Sequence, residues 1–299
     1  MASSLRIGFV PGDDDQIAAG AFVAATAQAL GMPLETHQAA DYRGLAAALE
    51  QGLAHMAWVP PVPAARALRT GAVQAAVVVV RNGATSYQTA LIAHASSELE
   101  SLADLDGARA AWVDRDSASG YLLIRAALRG EGVSLTRAFG AESFVRSHAE
   151  VAHALRTGRA DVGATFVSFT SGTRDVARAG WRAYGLEDDE VRLLLHAGPI
   201  PSDVLLVSRS VSGSHLAALQ AAIVDARPAL AHQTARDLLH ADGFVRATDD
   251  HLAMLSDLLT RLDIPLASWP PAGAPGERGS TRPSDRVSTR PPAFDPGKR

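Results

Sequence analysis

The chain has 299 residues, 47% hydrophobic and 20% charged, a balance that supports a buried core and one or two domains. A net charge of -4 argues against a nucleic-acid partner, and the absence of cysteine excludes disulfides, thiolate metal sites and thiol catalysis. Aromatic residues are only 5% of the chain, so alanine-rich helices must supply much of the apolar surface.

The first half alternates strand and helix patterns. Leu5–Pro11 reads as a buried strand and Gln16–Leu30 as an alanine-rich helix ended by Gly31. Pro33–Gln38 is a strand and Tyr42–Gln51 a helix closed by Gly52. Met56–Pro60 is a strand, Ala64–Arg69 a helix closed by Gly71, and Gln74–Arg81 an apolar strand. Strands separated by single helices predict βαβ units and parallel pairing.

The middle repeats that rhythm. Thr89–Ala95 and Ala108–Asp114 are strands, and about Ser119–Arg129 is a helix. Ala138–Phe144 is a weaker strand, Ala149–Thr157 a helix stopped by Gly158, and Asp161–Phe166 a strand. Ser168–Ala179 is read as helical. Arg192–His196 and Asp203–Ser208 are strands, and everything from Ser214 to Leu262 is read as helical.

Two sheet units of similar size follow. The expected lobes are 1–92 with 203–267, and 97–199, with crossings near Leu91–Ala95 and Leu205–Ser208. A cleft is expected at the carboxyl ends of the strands, where open α/β sheets place ligands. Ser268–Arg299 holds seven of the 16 prolines and repeats Ser-Thr-Arg-Pro at Ser280 and Ser288, so it is expected to be disordered. It carries six Lys/Arg against three Asp/Glu, leaving 22 basic and 29 acidic residues elsewhere. An anion site in so acidic a body needs backbone N–H groups and hydroxyls, not a broad basic face.

The most informative segment is Asp114-Arg115-Asp116-Ser117-Ala118-Ser119-Gly120-Tyr121, between a strand and a helix. The leading N–H groups of that helix lack internal partners and carry the positive end of its dipole. Ser117 and Ser119 add hydroxyl donors, and Gly120 lets the backbone come close. Ordinary N-capping by Ser or Asp is the plainer reading of the same residues.

A strand followed by D-x-x-S-x-S-G-Y resembles the substrate-binding proteins of phosphate, phosphite and phosphonate ABC transporters. Further blocks resemble that family in the same order. They are Asp41-Tyr42-Arg43-Gly44-Leu45 with Ala57-Trp58, then Tyr87, then Ser101 to Gly107. Ser147-His148 with Ala160-Asp161-Val162-Gly163 follows, and then Ile200-Pro201-Ser202-Asp203.

The resemblance implies a two-lobed type II periplasmic-binding-protein fold with mainly parallel sheets and two hinge strands. It implies that Ser117, the Ala118 N–H, Ser119 and His148 hold a small phosphorus oxyanion. Tyr42 and Tyr87 would wall the cleft, and Asp203 would face the rest of the ligand. It implies an ABC permease as partner, no cofactor, no metal, a monomer, and a place in the periplasm or at the membrane surface. No signal-peptide pattern precedes Leu5, which leaves a cytoplasmic sensor as the alternative. Taken one at a time, Tyr42, Tyr87, His148 and Asp203 also fit packing, surface and turn roles.

The chain departs from the family pattern in places. Ala118 stands where threonine is common, and Arg115 replaces a proline. Thr165-Phe166-Val167-Ser168 stands where amine-reading members carry Asn-Thr-Glu, with Ser168 in the place of the glutamate. Aminoalkyl phosphonates are therefore expected to bind worse than phosphite, phosphate or a small alkyl phosphonate. An enzyme using Ser117, His148 and Asp203 is the rival reading, weakened by the lack of a G-x-S-x-G elbow. His148 and His153 are spaced too far around a helix for a good metal chelate.

Overall fold

The computed structural model describes residues 4–10, 16–182, 185–225 and 229–262. The expected disorder of 268–299 lies outside the described residues.

Two six-stranded sheets organise the chain. The first contains β1 (Leu5–Phe9), β2 (Leu34–Gln38), β3 (Met56–Val59), β4 (Val73–Val80), β11 (Val204–Ser208) and β12 (Gly243–Arg246), in the order β12-β4-β11-β3-β1-β2. The second contains β5 (Ser86–His94), β6 (Ala108–Trp112), β7 (Phe139–Phe144), β8 (Val162–Phe169), β9 (Val176–Ala179) and β10 (Val191–Pro201). Its order is β10-β5-β8-β6-β7, with β9 paired to β8.

Each sheet is mixed. The βαβ segments give the expected parallel trios, β3-β1-β2 and β8-β6-β7. The remaining strands add in antiparallel fashion: β11 and β12 extend the first sheet, and β5, β9 and β10 the second. These later strands return through long excursions or a hairpin, so no single crossover helix forces them parallel.

The helices form where the caps and apolar spacing dictate. α1 (Gln16–Leu30) buries Phe22, Ala25 and Thr26. α2 (Tyr42–Glu50) starts at Asp41, whose Oδ1 accepts from the Gly44 N–H at 2.7 Å, and it buries Leu45 to Leu49. α3 (Pro61–Arg69) begins on a proline, as a first helical residue tolerates. α4 (Leu123–Gly130), α5 (Leu135–Ala138) and α6 (His148–Arg156) serve the second sheet. α7 (Gly213–Gln220), α8 (Leu230–Leu239) and α9 (Asp249–Arg261) follow β11.

Trp58 packs between Phe22 and Phe244, with ring centroids 6.5 and 5.5 Å away, at the centre of the first core. The second sheet is covered on both faces. Val151, Ala152 and Leu155 pack on one face, and Trp112, Ile124 and Leu128 on the other.

The crossings differ from the expected ones. β5 pairs only with β10 and β8, so it belongs wholly to the second sheet, and β11 belongs wholly to the first. The chain crosses at 81–85 and again at 202–203. Asn82 and Gly83 both have positive φ, 52° and 69°, and make a tight turn between Arg81 and Ala84. The two crossings touch: the Ser202 N–H donates to the Thr85 carbonyl at 2.9 Å.

Two helical readings are also corrected. Ser168–Ala179 is not a helix. β8 runs on to Phe169, a turn through Gly172 (φ 78°) follows, and β9 comes back beside β8. Gly243–Arg246, inside the stretch read as helical only, is β12. It sits against β4 because Phe244 fills the core beside Trp58.

Candidate functional site

At its carboxyl end β6 passes into a loop, then into one π-helical turn, Ala118–Leu122, continuous with α4. Ser117 caps it, its Oγ accepting from the Gly120 N–H at 3.0 Å. The plain capping reading is therefore what the structure displays, and the Ser117 hydroxyl keeps its own hydrogen to donate. Leu122 donates to the Ser117 carbonyl at 2.9 Å, a five-residue span. Ala118 and Ser119 lead that turn, so their amides have no acceptor within the helix. Ala118 and Ser119 are only 5% and 3% exposed, so the positive end of the turn acts through little water. Gly120 is obligatory, since a Cβ there would stand 2.3 Å from Val113 Cγ2.

The turn is pinned onto the second sheet. Thr89 Oγ1 donates to the Ser119 carbonyl at 2.6 Å, and the Tyr87 side chain lies near that of Ser119. Burial first, and the Asp203 carboxylate second, push the Tyr87 phenol above its ordinary range, so it stays a protonated donor near neutral pH. Arg115, in the place of the family's proline, lies over the Phe144 ring at 4.7 Å.

The segment before α6 runs alongside. The Arg146 N–H donates to the Val113 carbonyl at 2.8 Å. Arg146 has φ 76°, a strained left-handed conformation for a non-glycine residue, immediately ahead of Ser147 and His148. Ser147 caps α6, and His148 opens it. Thr165 Oγ1 and His148 Nδ1 are 2.9 Å apart, and the imidazole meets the Phe166 ring edge-on at 5.1 Å. Burial first, then the charge of Arg178, hold His148 down to about 4. The imidazole is therefore neutral at pH 7.

Asp203 lies at the second crossing. Arg81 Nη2 donates to its Oδ2 at 2.8 Å and also to the Leu239 carbonyl at 2.8 Å. The ion pair thus ties the two crossings together. Tyr42 is the first residue of α2 and is 41% exposed. Its neighbour Arg43 reaches Asp116, Nη2 to Oδ1 at 2.8 Å with a second bond from Nε to Oδ2, and this joins α2 to the loop before the turn. Ser117, Ala118, Ser119, Tyr87 and His148 are thus gathered around one corner of the second sheet. Asp203 sits at the second crossing, and Tyr42 stands at the start of α2, next to Arg43.

A family model described as "ABC transporter, phosphonate, periplasmic substrate-binding protein" matches residues 7–252. The chain belongs to this family. Among solved structures, it is similar to a binding-protein component of an ABC phosphonate transporter from Pseudomonas aeruginosa. That match has 20% identity, a TM-score of 0.68 and coverage of 87% of either chain. It is similar to PhnD1 from Prochlorococcus marinus in complex with methylphosphonate, at 16% identity and TM-score 0.66, over 87% of this chain and 98% of that one. A protein of Xanthomonas citri bound to ATP matches at 19% identity and TM-score 0.68, over 88% and 98%. At these identities the structural likenesses show the fold, the two-lobed mixed α/β architecture of type II periplasmic binding proteins. No curated protein matched the sequence at a significant level.

As a phosphonate-family binding protein, the chain implies a small ligand and an ABC permease. The catalytic rival gains nothing from the geometry. His148 pairs with Thr165, Asp203 with Arg81, and Ser117 with Gly120, which is not the serial linkage of a Ser-His-Asp relay. Among the described residues, no group of three or more His, Asp or Glu is arranged to hold a metal ion. Among the same residues, no helix is long and apolar enough to cross a membrane. Two surface cavities lie away from the site, one lined by His94, Asp104 and Asp161, the other by Leu68, Arg209 and Leu252.

Three arginines at this corner escaped the sequence reading. Arg43 lies inside the Asp41–Leu45 block, but its partner Asp116 is 73 residues away. Arg81 looks like the polar end of a strand. Arg178 was hidden in a segment read as a helix.

Proposed function

We propose that this phosphonate-family protein captures a small phosphorus oxyanion, namely phosphite, phosphate or a simple phosphonate, for ABC-type uptake without catalysis. The observation that carries the reading is the Ser117–Leu122 turn. It offers buried amides and two serine hydroxyls beside the neutral His148 and the protonated Tyr87. Hydrogen-bond donors in a poorly solvated corner bind an anion without net positive charge.

In this reading Ser117, the Ala118 N–H, Ser119 and His148 hold the phosphorus oxygens. Tyr87 closes one side, and Tyr42 contributes from the opposite lobe. Asp203, tied to Arg81, serves the hinge and faces the ligand's far side. The lobes would be 4–80 with 204–262, and 86–201, turning about 81–85 and 202–203. Closure is selected because the ligand gains donors from both lobes only in the closed form.

A thermal-shift panel tests this. A ligand that binds only the folded chain raises its melting temperature, by an amount that grows with concentration over Kd. Phosphite, phosphate or methylphosphonate should raise it in the native chain and lose most of that effect in Ser117→Ala. A melt that none of these moves, or that sulfate moves equally, sinks the reading.

A further inference from the structure

Thr165 lies on β8, is only 1% exposed, and sets its Oγ1 2.9 Å from His148 Nδ1. That hydroxyl has no other hydrogen-bond partner among the described residues. The chain leaving β9 closes over it. The Gly180 N–H donates to the Phe166 carbonyl at 2.9 Å, and a Cβ on Gly180 would collide with Thr165 Oγ1. Glycine is what lets the backbone come so near, and solvent has no way to the hydroxyl.

A contact between a hydroxyl and an imidazole nitrogen runs in either direction in principle. Burial decides the direction here. A hydroxyl out of water needs an acceptor for its own hydrogen. If His148 donated from Nδ1, the Thr165 hydrogen would be buried with nothing to receive it. The bond therefore runs from Thr165 Oγ1 to His148 Nδ1. An imidazole that accepts at Nδ1 is neutral and carries its one hydrogen on Nε2. The lowered proton affinity of His148 agrees with this. Nε2 lies on the far side of the ring from Thr165, and the Phe166 ring, edge-on at 5.1 Å, helps to hold the imidazole plane. His148 is half-buried, and its Nε2 has no hydrogen-bond partner among the described residues.

Every group that the phosphorus reading sets at this corner can then donate. These are the Ser117 and Ser119 hydroxyls, the Ala118 N–H, the protonated Tyr87 phenol and the His148 Nε2–H. The nearby carboxylate, Asp203, already accepts from Arg81 at 2.8 Å. The charge of Arg178 acts on both Tyr87 and His148 and adds no acceptor.

We propose that Thr165 is a positioning residue that keeps the His148 hydrogen on Nε2, so that the corner reads ionised oxygens and takes a phosphite or alkyl phosphonate as its dianion. The assignment rests on the reading of the Ser117 turn as the phosphorus site. A second proton on the ligand would meet the His148 hydrogen, and a charge-assisted bond would be lost. Phosphorus oxyanions lose that proton a little below neutrality, at about pH 6 for a phosphate monoester, so both forms coexist in mildly acid solution.

Nitrogen-15 NMR of the full chain with labelled histidine rings tests the tautomer, the His148 resonances being assigned by their loss in His148→Gln. At pH 7 the native Nδ1 should resonate as an unprotonated acceptor and Nε2 as a protonated nitrogen. Thr165→Val keeps the shape and removes the hydroxyl. Its Nδ1 resonance should move further downfield, as an acceptor nitrogen does on losing its donor. Its affinity for methylphosphonate should fall about fivefold, the worth of one hydrogen bond, and Thr165→Ser should restore both. Calorimetric titration of the native chain with phosphite and methylphosphonate at about pH 6, in buffers of different ionisation enthalpy, should show protons released on binding. A native His148 with its hydrogen on Nδ1, native affinity in a folded Thr165→Val, or binding without proton release would overturn this role and leave the phosphorus site standing. Binding of neither ligand would overturn both.

Discussion

Arg43 and Asp116 form a two-point ion pair between α2, which serves the first sheet, and the loop that leads to the Ser117 turn on the second, with Nη2 to Oδ1 at 2.8 Å. Asp116, then Asp41 and Asp114, strengthen the proton hold of Arg43. The charges of this corner are thus arranged to draw the lobes together on the side where the turn lies. Both side chains keep solvent contact, 39% and 22% exposed, so the pair is worth only about 1 kcal/mol or less. Arg43→Gln and Asp116→Asn should each weaken ligand affinity by up to about fivefold, mainly through faster release. High salt should narrow the gap to the native chain. Variants that bind at native strength across the whole salt range would show that the pair does not favour closure.

Ser117 caps the turn, and in the proposed reading it also donates to the ligand; the two duties separate experimentally. As a cap it accepts from the Gly120 N–H, and its loss costs about 0.5–2 kcal/mol of stability. As the proposed donor to a charged ligand it would contribute about 1–3 kcal/mol of binding. Ser117→Ala should therefore lower both the melting temperature and the affinity. Ser117→Asp keeps a capping acceptor but sets a negative charge beside the anion. It should melt close to the native chain yet bind far worse, as measured by titration. If it binds as well as the native chain, Ser117 is a cap alone.

Gly120 tests whether the turn needs its close approach to β6. A Cβ at this position would meet Val113 Cγ2 at 2.3 Å and Ser117 Oγ at 2.8 Å. Gly120→Ala should cost about 1–3 kcal/mol by overpacking, and it should disturb the amides proposed to hold the ligand. Val113→Ala in the same chain removes the nearer clash. It should restore part of the ligand-induced rise in melting temperature, although it leaves a small void. Native binding by Gly120→Ala would mean that the turn can retreat from Val113 without consequence.

Much of this corner was legible because its signals are local. Asp41 capping α2, the Ser117 turn with Gly120, and Ser147 opening α6 all fall where the sequence pattern sets them. α1 begins and ends at Gln16 and Leu30, as its spacing indicates. What stayed hidden depends on partners far along the chain. Val176-Ala-Arg-Ala has no helix-breaking residue, and only its pairing with Val167–Phe169 makes it β9. Gly243–Arg246 is too short to show a period, and it is a strand because Phe244 fills the gap beside Trp58 and His232. The crossings were misplaced because β5 reads the same in either sheet. Asn82-Gly83, a strong turn signature, marks the true change of sheet.

His148 gives the site a measurable pH signature. Burial, and then Arg178, hold its imidazole at about 4, whereas an unfolded chain titrates it near its ordinary 6.5. Above pH 6.5 the imidazole is neutral in both states and contributes no pH dependence. Between 6.5 and about 4 the unfolded chain binds the extra proton, so stability falls as the pH falls, by up to about 1.4 kcal/mol per unit. Below about 4 both states are protonated and this contribution levels off. Carboxylates titrate in the lower part of the same window, so the comparison must be with His148→Gln, which keeps a hydrogen-bonding group towards Thr165 but cannot take up a proton. Denaturant unfolding of the two proteins at pH 7, 6, 5 and 4.5 should show the native chain losing ground steadily to the variant. Arg178→Gln in the native background should flatten the fall, because one of the two forces holding the imidazole neutral is gone. Parallel stability curves for the native chain and His148→Gln would mean that His148 titrates normally and is open to water. The poorly solvated setting assigned to His148 at the oxyanion corner would then not exist.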